Sequence, residues 1–196
     1  TRGSNLHVLG TMNTADRSIA LMDFALRRRF YFHHCGPQLD RVEEIAGIVG
    51  LQGGQHTAIR QARAILHEMN ARIRLLRDQD HEIGHTYLLE ACRSMPDGTQ
   101  ATLDAVGAMF ALQVVPLLQE SFHGQWPELR VLLGARLIEA VDASPLHNLD
   151  INGDSFDDDP RYRFAPHCSD PEKVLAALKA HYRVGDAPTD ADGPSE

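Results

Sequence analysis

Lysine is nearly absent. The 196-residue chain holds two, Lys173 and Lys179, so its positive charge rests almost wholly on arginine. The guanidinium is a rigid, always charged fork that matches phosphate and carboxylate, so any phosphate chemistry here must use Arg. Cysteine is scarce and odd in number. Cys35, Cys92 and Cys168 stand far apart and form no C-x-x-C, which excludes a disulfide framework and points to a reducing cytoplasm. The sequence has no uninterrupted apolar run long enough for a membrane span, no signal-peptide pattern and no initiator Met. It reads as a fragment. Positive charge is not in excess either: 27 acidic residues against 19 basic give a net charge of −8. That balance excludes a generic coat for nucleic acid, because affinity for phosphate backbones comes mainly from Lys and Arg.

What is present fits a folded globular protein. Hydrophobic residues make up 43% and charged residues 23%, a composition that buries a core. The charge is uneven: residues 1–93 hold 12 arginines against 10 carboxylates, and residues 94–196 hold seven basic against 17 acidic side chains. Leu6 to Met12 is an apolar run that predicts a buried strand. Ile19 to Leu26 predicts a helix ending in Arg27-Arg28-Arg29, and Phe30-Tyr31-Phe32 a second strand. The remainder predicts helices over Leu39–Val49, Thr57–Arg77, Tyr87–Cys92, Ala101–Phe122 with a bend at Pro116, Trp126–Val141 and Glu172–Tyr182. In the longest, Ile59, Ala62, Ile65, Leu66, Met69, Ile73 and Leu76 form one apolar stripe. Residues 145–169 read as loop and Gly185–Glu196 as a disordered tail. The fold class expected is α/β followed by mostly α.

The chemistry concentrates in Gly10-Thr11-Met12-Asn13-Thr14-Ala15-Asp16-Arg17-Ser18 and Leu26-Arg27-Arg28-Arg29-Phe30. An amide at the end of a buried strand stands where α/β sheets bind ligands. Three arginines at one helix end exceed what the helix dipole needs. Amide and guanidinium groups together suit a phosphate ligand.

These residues resemble the AAA+ motor of McrB-type, GTP-dependent modified-cytosine restriction systems. Ile83-Gly84-His85-Thr86-Tyr87, Pro116-Leu117-Leu118 and Leu132-Leu133-Gly134 are similar to that family's lid, so the resemblance covers roughly residues 5–135. It implies that residues 1–36 end an α/β core, that 37–141 form the helical lid, that 142–184 are an accessory segment and that 185–196 are tail. It further implies that Asn13 is sensor 1, orienting the attacking water at the γ-phosphate. Asp16 and Arg17 then act at the subunit interface, and Arg28, flanked by Arg29 and Arg27, is the arginine finger. His85 stands at the sensor 2 position, where the family usually has Arg. The implied assembly is a cytoplasmic homo-oligomer, a hexameric ring, that uses GTP or ATP with Mg²⁺, works with a nuclease partner subunit and acts on DNA, with no membrane.

The residues alone leave plainer roles open: a turn for Asn13, a helix cap for Asp16, packing for His85. Two other classes also stay open, an AAA+ ATPase that remodels proteins and a non-catalytic assembly module. The sequence has no G-x-x-x-x-G-K-S/T loop and no acidic strand end for Mg²⁺. In the family both precede sensor 1, so they are expected upstream of Thr1, and these 196 residues alone are expected to be inactive. Asp150-Ile151-Asn152-Gly153-Asp154 mimics a calcium loop but has Ser155 and Arg161 at its sixth and twelfth positions. His33-His34-Cys35 lacks a second ligand pair, so no metal site is expected.

Overall fold

The computed structural model describes residues 5, 7–12, 24–48, 53–93, 98–141 and 161–185. The chain divides into two units, Thr1–Gly36 and Pro37–Glu196. In the first, Phe24–Arg27 make one helical turn, α1, closed by the Phe30 N–H donating to the Arg27 carbonyl at 3.4 Å. The strands expected at 6–12 and 30–32 are not formed among the described residues: 7–12 and 31–36 pair with nothing in a sheet. Leu9 is 96% exposed, and Val8, Tyr31 and Phe32 are exposed as well. An apolar run becomes a buried strand only beside neighbours that take its N–H and C=O groups and cover its face. No such neighbour stands among the described residues of this unit.

The second unit is mostly helical, with a single two-stranded sheet among its described residues. A 3₁₀ turn at Leu39–Arg41 leads into a short helix, α2 (Val42–Ala46), ended by Gly47 at φ 71°. Helix α3 (Gly53–Leu76) starts before the expected Thr57. Its stripe from Ile59 to Ile73 is buried as expected, and Leu76 lies exposed at its end. Helix α4 follows at Thr86–Arg93.

Helix α5 (Thr99–Met109) and helix α6 (Val115–Ser121) are continuous through a π turn at Phe110–Val114. Pro116 has no N–H to give the Leu112 carbonyl. The backbone widens just before it, and the Val115 N–H reaches back to the Phe110 carbonyl. The expected bend at Pro116 is thus preceded by a π turn. By length and composition this stretch is the one helix among the described residues apolar enough to cross a membrane. Here it is a core helix, with Val106, Met109, Phe110, Val114 and Leu118 buried.

Helix α7 (Trp126–Leu133) stops at Gly134, φ 84°, well short of the expected Val141. Strand β1 (Ile138–Val141) follows and pairs antiparallel with β2 (Arg161–Phe164), Ile138 opposite Phe164 and Val141 opposite Arg161. Strand β2 falls where loop was expected. Its alternation of Arg and aromatic residues fits a strand half-covered on one face, with Tyr162 under Arg130 and Phe164 edge-on to Trp126.

Helix α8 (Pro171–Tyr182) is capped by the Asp170 carboxylate, which accepts from the Lys173 N–H. The Lys173 side chain and backbone hold that carboxyl below its usual range. Val174, Leu175, Ala177 and Leu178 are buried in the same core as α3 and α5. Residues 161–185 therefore pack within the helical core of the second unit. The approach to α5 is close: a Cβ on Gly107 would lie 2.6 Å from the Pro171 carbonyl oxygen. Gly107→Ala is expected to destabilise the second unit by about 1–3 kcal/mol, the usual cost of overpacking, read as a lower urea midpoint.

Burial pushes the Cys92 thiol up to about 11, with the Glu43 charge adding to it. Burial likewise raises the Cys168 thiol, which donates to the Leu137 carbonyl at 3.2 Å, whereas Cys35 is exposed. Since the thiolate is the reactive form, iodoacetamide at pH 8 should label Cys35 first and Cys92 last, as peptide mass mapping would show.

Candidate functional site

One candidate group lies at the head of α4. His85 is the residue before the helix, and its carbonyl accepts from the Leu89 N–H at 3.0 Å, so it occupies the cap position. The Gln38 N–H donates to His85 Nδ1 at 3.2 Å. A ring nitrogen that accepts carries no hydrogen, so the neutral ring bears its hydrogen on Nε2 and presents that edge as a donor. The first N–H groups of a helix have no partner inside the helix and carry the positive end of its dipole. His85 Nε2–H and this helix start together form donor chemistry suited to an anion.

What holds His85 there is an amide. Asn70, 3% exposed in the middle of α3, clamps the Ile83 backbone from both sides. Its Nδ2 donates to the Ile83 carbonyl at 3.0 Å, and its Oδ1 accepts from the Ile83 N–H at 2.7 Å. Arg74 pairs with Glu82 one residue earlier. His81 donates to the Asp78 carboxylate at 2.7 Å and, with the Asp80 N–H, keeps that carboxyl below its usual range. The connection from α3 to α4 is thus pinned at Asp78, Glu82, Ile83 and His85. The sequence motif singled out His85 as a candidate, but not Asn70 and Gln38, which the structure places in contact with its segment. The available signal for Asn70 was a polar residue between Met69 and Ile73 on the apolar stripe of a long helix, where Asn is a poor helix former.

The arginine run lies in the first unit. Arg27 ends α1, with its guanidinium 5.3 Å from the Phe32 ring centroid. Arg28 and Arg29 follow in the turn and are exposed. Asn13, Asp16 and Arg17 lie outside the described residues, as does the Asp150–Asp154 segment. The described site residues therefore fall into two groups, Arg28 with Arg29 in one unit and His85 in the other. Among the described residues no three His, Cys, Asp or Glu side chains are grouped to hold a metal ion, so none is assigned to Mg²⁺.

Comparison with known proteins bears on these helices. Residues 61–130, from α3 to α7, match the family described as "McrB, alpha-helical lid domain". The chain is also 30% identical over 121 residues, 60% of its length, to the "Type IV methyl-directed restriction enzyme EcoKMcrB subunit" of Escherichia coli (strain K12). By these two likenesses the chain is similar to McrB-type proteins. It spans about a quarter of that relative's length, 26%. No solved structure matches the chain.

Proposed function

We propose that the chain is the stretch from sensor 1 through the lid of an oligomeric nucleotide-hydrolysing motor subunit in a DNA restriction system. The observation that carries this reading is the lid match over residues 61–130, within which His85 is held at the head of α4 by Gln38 and the Asn70 clamp. In this reading GTP, or ATP in some relatives, is hydrolysed with Mg²⁺, and the phosphate-binding loop and Mg²⁺ ligands belong to sequence upstream of Thr1. Residues 1–36 complete the α/β core. His85 Nε2–H and the first N–H groups of α4 donate to the nucleotide phosphates. Asn13 orients the attacking water, and Asp16 and Arg17 act at the interface between subunits. Arg28, with Arg29 beside it, reaches the neighbouring subunit's nucleotide. Charge builds on the phosphoryl oxygens as the bond to the leaving group breaks, and a guanidinium supplied from another subunit stabilises that charge. The assembly is a cytoplasmic homo-oligomeric ring that engages DNA together with a nuclease subunit.

The test is phosphate release by the chain extended upstream of Thr1, with GTP and ATP compared at saturation. Turnover that prefers GTP is the expected result. Turnover with ATP alone moves the protein toward a remodelling ATPase, and no turnover with either nucleotide, nuclease subunit supplied, overturns the reading.

A further inference from the structure

A second feature of α3 lies outside the His85 group. An open cleft of about 360 Å³ runs along the helix, lined by Asp40, Thr57, Arg60, Arg63, His67 and Gly185 among others. Arg60, Arg63 and His67 recur at helical spacing and so share one face. Across residues 53–76 this helix carries four arginines and one carboxylate, Glu68, within a chain that is acidic overall.

The guanidinium donors in the cleft are largely unspent. Arg63 stands 3.7 Å from the Glu43 carboxylate, near enough for charge pairing but too far for a hydrogen bond. Glu43 Oε1 correspondingly has no hydrogen-bond partner among the described residues. Arg60 is exposed and makes no ion pair or hydrogen bond among the described residues. The carboxylate within the cleft is engaged, since Asp40 Oδ1 lies 3.0 Å from His67 Nε2. The far wall is fixed by the buried Gln61, whose Nε2 donates to the Gly185 carbonyl at 3.2 Å. No Phe, Tyr or Trp lines the cleft, so it offers no stacking surface for a base.

We infer that this cleft is an anion site that takes a phosphate group, held by Arg60 and Arg63. Two guanidinium forks within one helical turn suit the oxygens of a phosphoryl group, and an open cleft without base readout takes the phosphate whatever carries it. The carrier is a nucleic-acid backbone or a nucleotide. The site uses neither Asn13, Arg28 nor His85, so it stands apart from the proposed hydrolytic function.

The test is calorimetric titration of the full 196-residue chain with inorganic tripolyphosphate. Saturable binding is expected, weakened about tenfold or more by Arg60→Gln with Arg63→Gln and unchanged by Arg163→Gln, whose side chain pairs with Glu139 on the neighbouring strand. Arg60→Gln alone, at an exposed position, keeps the test valid if the double variant does not fold. Displacement by a DNA duplex at lower concentration than by GTP assigns the backbone as carrier, and the reverse order assigns the nucleotide. Absence of saturable binding, or binding indifferent to Arg60→Gln, overturns the site.

Discussion

Arg28→Ala in the upstream-extended protein is expected to lower nucleotide turnover by about 10³-fold or more while leaving nucleotide affinity nearly unchanged. The asymmetry follows from where the charge is. A guanidinium donated across a subunit boundary meets charge that develops on the transferring phosphoryl, so its loss is felt in the transition state more than in the ground state. Arg28 lies in the exposed turn after α1, a position from which a side chain can meet a neighbouring subunit. Arg27, whose guanidinium stacks on Phe32, is expected to matter less. Phosphate release paired with fluorescent-nucleotide binding reads both quantities. Unchanged turnover in the Arg28 variant would remove it from the active site.

Asn70→Leu is expected to be the most damaging single change in the second unit. Leucine fills a similar volume but leaves the Ile83 N–H and C=O, now served at 2.7 and 3.0 Å, without partners. Each buried backbone group left unpaired costs on the order of 1–3 kcal/mol, and here there are two. The loss should appear as a clear drop in melting temperature. The freed connection would also let His85 leave Gln38, so nucleotide affinity should fall further than it does in His85→Ala alone. A melting temperature equal to that of the parent would show that the clamp carries no weight.

The legible part of this chain was the helical part. The stripe from Ile59 to Ile73 announced α3 by its period, and Glu172–Tyr182 read as a helix that begins one residue earlier, at Pro171. What stayed hidden depended on partners distant in sequence. Ile138–Val141 continued the apolar character of α7 and read as helix, whereas the structure turns at Gly134 and gives that run to β2, across a long intervening segment. Helix α8 was visible as a helix, but its burial in the same core as α3 and α5 was not. Its docking rests on the bare backbone of Gly107 and on caps over the end of α7: the Tyr182 hydroxyl donates to the Leu132 carbonyl at 2.6 Å, and His181 Nε2 lies 2.9 Å from the Val131 carbonyl oxygen. No local pattern encodes such contacts. The same logic explains the first unit, where two apolar runs promised strands that need neighbours to form. Of the site, His85 was legible through its motif. The amide that holds it was not, because a single Asn in a helix is a weak signal until its partner across the fold is known.

If these residues serve nucleotide sites formed between subunits, specific activity depends on protein concentration. Phosphate release by the upstream-extended protein should rise steeply per subunit as concentration increases, then level off once assembly is complete. Adding Arg28→Ala subunits should lower the activity of the parent by more than simple dilution. A specific activity constant down to the lowest concentration, and unaffected by the variant, would contradict the account, because each subunit would then hold a complete site of its own.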